Sequence, residues 1–198
     1  MIRMEKHTFS ATVILADADY LDNMVGGYSA FFAERIGRRL PQADLAQWCI
    51  TSALDGGLED GDNEVQVVLI HSKDKSMLDN FCPGLLAETI DGQAFRDERL
   101  GEFLLSCVPD EQVDQEAEPF FLQCARMLLD CKEVKRLVLV PDDAVCQPLL
   151  EPLLQETPQG KRVTLLAANT QDKLPHCNVV NLGFGIMHAV GIKADELR

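Results

Sequence analysis

Positive charge is scarce in this sequence, which has 18 lysine and arginine residues against 32 aspartate and glutamate residues and a net charge of −14. Proteins that hold nucleic acid neutralise its phosphates with lysine and arginine, and an acidic surface repels the phosphate backbone. A nucleic-acid role therefore needs a local basic patch or bound cations. The charge balance disfavours RNA as a partner and leaves a protein partner or a second copy of the chain open.

Paired cysteine motifs and long apolar runs are also missing. The seven cysteines are an odd number and include no Cys-x-x-Cys pair, so the sequence indicates neither a disulfide framework nor a zinc cluster. The apolar runs are far shorter than the ~20 residues of a membrane helix. The first residues, MIRMEKHTFS, lack the apolar core of a signal peptide. We therefore expect free thiols, no membrane span and a cytoplasmic location.

Length and composition are typical of one globular domain. The chain has 198 residues, of which 46% are hydrophobic and 25% are charged. That length is sufficient for one domain with a well-buried core and too short for two domains that each have one. The sequence has no internal repeat and no linker, so residues 1–198 are predicted to form a single α/β domain.

The stretch TVILADADYLD, residues 12–22, is the one around which the rest of the chain is organised. Its apolar run is typical of a strand buried on both faces of a parallel sheet, and it leads into Asp17 and Asp19. A similar run at residues 137–140 leads into Asp142 and Asp143. Because open α/β sheets bind ligands at the carboxyl ends of their strands, these acids are predicted to stand at a functional site.

Strand and helix patterns alternate along the remainder of the chain. Helices are expected after a break at Gly26 and Gly27, and strands are expected where apolar runs recur. The predicted strands cover residues 65–70, 102–108, 136–140, 162–167 and 178–182, and the predicted helices cover residues 28–40, 43–54, 76–87, 113–131 and 144–156. Such alternation predicts a three-layer, doubly wound and mainly parallel β-sheet flanked by helices.

The acids that follow the strands favour a divalent cation. Carboxylates with water suit Mg²⁺ or Mn²⁺, which activate a water molecule and neutralise phosphate charge. Neighbouring strands lie ~4.8 Å apart, so Asp17 and Asp143 are able to share one ion if the first and fourth strands pair. The competing interpretation is that these acids are helix N-caps or solvated loop residues, for which aspartate is common.

Three segments resemble the motifs of NYN domains, which are relatives of the PIN nucleases. The first strand ends in Asp17, as it does in that family. The segment EQVD, residues 111–114, is similar to the family's K-G-V-D segment. The segment LVLVPDDAVCQPLL, residues 137–150, is similar to an apolar strand followed by S-G-D-x-D-F-x-x-L-L and puts Asp143 on its first aspartate. The resemblance covers roughly residues 10–170.

The NYN resemblance implies a PIN/NYN-like fold and a metal-dependent ribonuclease. Asp17, Asp114 and Asp143 would be the catalytic acids and would bind Mg²⁺ or Mn²⁺, with Asp19 and Asp142 as further metal ligands. A metal-bound water would then attack an RNA phosphodiester.

Departures from the NYN pattern support an alternative function. Val145 stands where the third motif has its second aspartate, Pro141 and Asp142 replace its Ser-Gly, and Glu111 replaces the lysine of the second motif. An apolar side chain at position 145 removes a carboxylate that would hold metal or orient water. The alternative is therefore a degenerate, non-catalytic binding or assembly module of the same fold.

A second alternative comes from another family. The D-x-D after the first strand, Ser72 after the second, and the paired acids at 142 and 143 are similar to phosphatases of the haloacid-dehalogenase type. That resemblance implies Asp17 as nucleophile and Asp19 as general acid, with Mg²⁺ held by the later acids. It leaves Asp114 without a role.

Overall fold

The chain forms a seven-stranded mixed sheet with helices on both faces, as seen in a computed structural model that describes residues 9–114, 116–169, 174 and 176–197. The predicted three-layer, mainly parallel α/β class is confirmed. The strands are β1 Thr12–Asp17, β2 Ala43–Asp44, β3 Asn63–Ser72, β4 Phe81–Cys82, β5 Ala94–Asp97, β6 Gly101–Asp110, β7 Arg136–Val140, β8 Arg162–Ala167 and β9 Asn178–Asn181. The helices are α1 Ala18–Ile36, α2 Leu45–Asp55, α3 Phe120–Asp130, α4 Asp143–Gln155 and α5 Leu182–Ala189, with a π-helix at Leu86–Ile90 and a 3₁₀ turn at Ala194–Leu197.

The strand order makes β1 the centre of the sheet. The order is β5-β6-β3-β1-β7-β8-β9, and every neighbouring pair is parallel except β5 with β6. From β1 the chain moves outward through β3 to β6, then returns to β7 on the other side of β1. The point where the order reverses is where open α/β sheets form a ligand crevice. Here it lies at the carboxyl ends of β1 and β7.

Two apolar cores cover the two faces of β1. Ile14 and Ala16 pack into a core with α1, α2 and α5, whereas Val13 and Leu15 pack into a core with α3 and α4. All four side chains are fully buried. The continuous apolar run therefore reflects burial on both faces, as parallel sheets require. None of the described helices is long and apolar enough to span a lipid bilayer.

The first helix differs from its prediction. It starts at Ala18 and continues through Gly26 and Gly27, so the predicted break there is wrong. It ends at Ile36, before the predicted end at residue 40, and its C-cap is Gly37, whose φ of +76° is the left-handed conformation that favours glycine. A Cβ at position 26 would lie 3.0 Å from the side chain of Asn80, so packing against the loop before β4 explains this glycine.

Three further elements correct the sequence-based assignments. The helix predicted over residues 76–87 is wrong, because that segment contains β4 and turns that are bonded to α1. The helix predicted from residue 113 starts only at Phe120, after Pro119. The glycine-rich segment after β9 is helix α5, whose N-cap Asn181 accepts a hydrogen bond from the N–H of Gly183.

Candidate functional site

A pocket of about 480 Å³ opens at the carboxyl edge of the sheet, where β1, β3 and β6 end and α4 begins. Three carboxylates and an apolar wall line it, and its described lining contains no lysine, arginine or histidine. The lining residues are Asp17, Ile70, Asp110, Gln112, Asp114, Ala117, Pro119, Phe120, Phe121, Val145 and Cys146. This position makes the pocket the candidate functional site.

Asp17 is both the last residue of β1 and the N-cap of α1. Its Oδ1 accepts a hydrogen bond of 2.9 Å from the backbone N–H of Tyr20. Burial is the main reason why the pKa of Asp17 is raised to about 6, and repulsion from Asp19 and Asp142 adds to the rise, while the bond from Tyr20 opposes it. A carboxylate whose charge is poorly solvated is stabilised by a positively charged ligand.

The raised pKa predicts that Asp17→Asn stabilises the fold at neutral pH. The native state binds this proton more tightly than the unfolded state, so the contribution of Asp17 to stability is present below about pH 4 and is lost as the pH rises through about 6. Asparagine does not ionise, and its amide oxygen still accepts the bond from Tyr20. We expect the variant to exceed the wild type by ~1–3 kcal/mol in free energy of unfolding at about pH 7.5, and by little at about pH 4.

Urea unfolding of both proteins at the two pH values checks this prediction. The matched control is Asp60→Asn, because the hydrogen bond from Arg99 holds the pKa of Asp60 below its usual value. That control is not expected to stabilise the protein at neutral pH. A difference between Asp17→Asn and the wild type that stays constant with pH would contradict the assignment.

Asp110, the last residue of β6, and Asp114, four residues later, reach the pocket from the same side. The Oδ1 of Asp110 accepts a hydrogen bond of 2.8 Å from the N–H of Gln112, and the Oδ1 of Asp114 accepts one of 2.9 Å from the N–H of Glu116. The side-chain amide of Gln112 donates to the carbonyl of Glu118 at 3.1 Å. The segment is thus folded by its own polar groups, and its acids are fixed on one side of the pocket.

Asp143 does not line the pocket, although β1 and β7 do pair, which was the condition for Asp17 and Asp143 to share an ion. Its Oδ2 accepts a hydrogen bond of 2.9 Å from the hydroxyl of Tyr20. Asp142 is the N-cap of α4, and its Oδ1 accepts a bond of 2.9 Å from the N–H of Ala144. The structure therefore places Asp17 and Asp114 in the same pocket. Asp142 and Asp143 instead accept hydrogen bonds from Ala144 and Tyr20.

Asp19 is held by the end of β3. It accepts hydrogen bonds from the backbone N–H and the hydroxyl of Ser72, and its Oδ1 lies 3.6 Å from Nζ of Lys75. A general acid must be free to exchange a proton with the substrate. The phosphatase alternative, which gives that role to Asp19, has no support from this arrangement.

The described residues contain no group of three or more histidine, cysteine, aspartate or glutamate side chains placed to hold one metal ion. All five acids proposed from the sequence accept a hydrogen bond from the chain itself. They are Asp17, Asp19, Asp114, Asp142 and Asp143. As they are placed, these acids do not fit the donor set of an Mg²⁺ or Mn²⁺ centre. Their catalytic and metal-binding roles stay predictions.

Val145 and Cys146 belong to the apolar wall of the pocket, in the first turn of α4. The side chain of Val145 is half exposed, beside the pocket that Asp17 lines. Burial, followed by repulsion from Asp17, raises the pKa of Cys146 to about 12. This thiol stays protonated at neutral pH and is unsuited to act as a nucleophile.

Sequence reasoning missed Asp110 as a site residue. The predicted strand stopped at residue 108, whereas β6 continues through Pro109 to Asp110. β5 pairs with residues 101–104 of β6, and no other described strand lies on that side, so the later part of β6 is an edge that tolerates a proline. With the correct strand end, the rule that selected Asp17 also selects Asp110.

Comparison with protein-family models finds a match over residues 6–197 to a family of unknown function and no match to an NYN or PIN family. The resemblance to NYN domains is therefore wrong. Its motifs are short, and acids that follow strands recur in α/β proteins because aspartate caps the helix that comes next. No curated protein and no solved structure matches the chain.

Proposed function

Since this chain belongs to the DUF6621 family, whose function is unknown, we propose a function from the pocket itself. The protein is a non-catalytic binding module, and the pocket at the carboxyl edge holds a basic side chain of a protein partner. This proposal develops the module alternative and gives it a site.

The lining of the pocket supports this proposal. Asp17, Asp110 and Asp114 supply negative charge, and no cationic side chain of the described lining neutralises it. The acids do not converge on one point that would suit a metal ion. Separated carboxylates beside an apolar wall suit an arginine or lysine, whose head group pairs with acids while its methylene stem packs on carbon. The ring of Phe120 adds a surface on which a guanidinium stacks.

A metal-dependent ribonuclease is the second candidate function. One observation favours it, namely that Asp17 and Asp114, two of the three acids to which the hypothesis gives catalytic roles, line one pocket. The net charge of −14 and the absence of a basic residue from the described lining count against an RNA ligand.

Thermal unfolding in the presence of two small cations separates the candidates. Agmatine, which joins a guanidinium to an amine by an apolar stem, is expected to raise the melting temperature, because a ligand of the folded state stabilises it by mass action. MnCl₂, added at the same concentration of divalent cation and the same ionic strength, is expected to leave the melting temperature unchanged. Asp114→Lys should remove the agmatine effect, and Glu88→Lys, an exposed acid outside the pocket lining, should retain it.

The opposite response to the two cations would contradict the proposed binding module. A melting temperature that rises with MnCl₂ but not with agmatine, together with loss of the manganese effect in Asp17→Asn, would favour the ribonuclease. In that case Val145→Asp, which adds a carboxylate to the pocket wall, should increase manganese binding and permit cleavage of single-stranded RNA.

We also propose a cytoplasmic location. All seven cysteines are unpaired in the structure, which is typical of proteins from reducing compartments.

A further inference from the structure

The second half of α1 has an apolar surface that the rest of the described chain does not bury. The buried residues of this helix are confined to its first turns, and none lies between Gly26 and Ile36. This half nevertheless contains a cluster of rings, in which Phe31 meets Phe32 edge to face at 5.2 Å and Tyr28 stacks on Phe32 at 6.1 Å. The side chain of Phe31 is 58% exposed.

Gly27 lies in the middle of this surface, and no contact within the described chain requires it to be glycine. A Cβ at Gly27 would have no atom within 4 Å, unlike a Cβ at Gly26, which would meet Asn80. A glycine inside a helix costs ~1 kcal/mol relative to alanine. The cost is offset if another molecule approaches the backbone there.

A shallow hollow of about 280 Å³ lies beside Gly27 and has a mainly apolar surface. Its lining residues are Asn23, Met24, Gly27, Tyr28 and Phe31. The ring of Tyr28 packs closely against Gly183 of α5, where even a Cβ would come within 2.8 Å of the ring. The protruding ring and the hollow therefore belong to the same helix, one turn apart.

We propose that α1 is the interface of a twofold dimer, in which the occupant of this hollow is Phe31 of a second copy of the chain. A twofold contact uses the same patch on both subunits, so the patch must supply both the protrusion and the hollow. With the axis at Gly27 and the helices antiparallel, Phe31 of one copy faces Asn23 of the other, since each lies four residues from the axis.

Charge along the helix favours this antiparallel register. The first turn of α1 carries Asp19 and the last turn carries Arg35. Both lie eight residues from Gly27, so the twofold axis brings Arg35 of each copy to Asp19 of the other. Asp19 keeps 34% of its side chain exposed beside Lys75 and is therefore accessible to a second cation. A parallel pair would instead bring like charges together.

Sedimentation equilibrium of the full chain tests the proposal. Over about 1–100 µM the mass is expected to rise from the 22.0 kDa of the monomer towards twice that value. A mass of 22.0 kDa throughout would overturn the dimer.

Gly27→Leu is the decisive variant, because a Cβ at this position has no atom within 4 Å, the leucine side chain would occupy the space proposed for Phe31 of the second copy, and leucine favours the helix. We expect a melting temperature equal to or above that of the wild type, together with association weakened at least ~100-fold. Phe31→Glu should have the same effect on association. Met127→Glu, which alters a comparably exposed residue on α3 at the other face of the sheet, should associate as the wild type does. A dimer that survives Gly27→Leu or Phe31→Glu would refute this interface.

Arg35→Glu tests the register separately. It is expected to weaken association about tenfold at low salt, with the difference shrinking as salt is added. An unchanged association constant would contradict the antiparallel arrangement.

Discussion

Asp22→Ala is expected to lower the free energy of unfolding by roughly 3–5 kcal/mol. Asp22 has only 1% of its surface exposed, and its carboxylate accepts hydrogen bonds from Nζ of Lys75 at 3.0 Å and from the backbone N–H groups of Asp79 and Asn80 at 3.0 and 2.9 Å. Alanine leaves two N–H groups without their acceptor, and it leaves the partly buried ammonium of Lys75 with only the more distant carboxylate of Asp19, at 3.6 Å. The loss is a large share of the ~5–15 kcal/mol that stabilises a typical domain.

Urea denaturation measures this loss, and two further variants show its cause. Asp44→Ala removes an exposed N-cap that accepts one hydrogen bond, from the N–H of Gln47, and should cost only ~1 kcal/mol. Adding Lys75→Met to Asp22→Ala should recover part of the stability, because it removes a partly buried charge whose remaining partner, Asp19, lies 3.6 Å away. If Asp22→Ala lowered the free energy of unfolding by no more than Asp44→Ala does, the hydrogen bonds of Asp22 would not contribute the stability predicted here.

Reversal of charge in the pocket is expected to have the largest effect on binding. Asp110 ends β6 and Asp114 follows four residues later, and Asp114 is exposed and accepts a local hydrogen bond from the N–H of Glu116. Changing both to lysine places two cations where a basic side chain is proposed to bind. We expect the dissociation constant for an arginine-containing peptide to rise ~100-fold or more, equivalent to ~2.7 kcal/mol.

The control for this reversal is a pair of exposed acids outside the pocket lining. Glu88→Lys with Glu151→Lys makes the same change in net charge at positions on the π-helix and on α4. Fluorescence anisotropy with a labelled Gly-Ser peptide containing three arginines compares the two double variants. Equal weakening in both would show that the peptide responds to the overall charge of −14 rather than to the pocket.

Much of the sheet was predictable because its strands are buried on both faces. The runs at residues 13–16, 65–70 and 136–140 are almost wholly apolar, and each became a strand of the sheet interior. The sequence did not predict that α1 starts at Ala18 and runs through Gly26 and Gly27, because glycine is unfavourable inside a helix. The N-cap at Asp17 and the packing of Asn80 against Gly26 outweigh that cost.

The site was predictable only in part, for a related reason. Parallel strands put their carboxyl ends at one edge, so the shared location of Asp17 and Asp114 follows from the strand pattern. The hydrogen bond between Tyr20 and Asp143 was not predictable, because the two residues lie 123 positions apart and no local sequence pattern indicates the contact. Of the predicted three-acid centre, Asp17 and Asp114 line one pocket whereas Asp143 accepts a hydrogen bond from Tyr20, and the catalytic roles of all three stay predictions.

The most direct test of the central claim is a titration followed by methyl NMR. Ile70 and Val145 carry methyl groups in the wall of the pocket, whereas Val163 lies near the opposite, amino-terminal end of β8. The arginine peptide is expected to shift the resonances of Ile70 and Val145 saturably and to leave Val163 unchanged, while a peptide with citrulline in place of arginine shifts none of them. Binding of the arginine peptide without a shift at Ile70 and Val145, or equal shifts with the citrulline peptide, would contradict a pocket that recognises basic side chains.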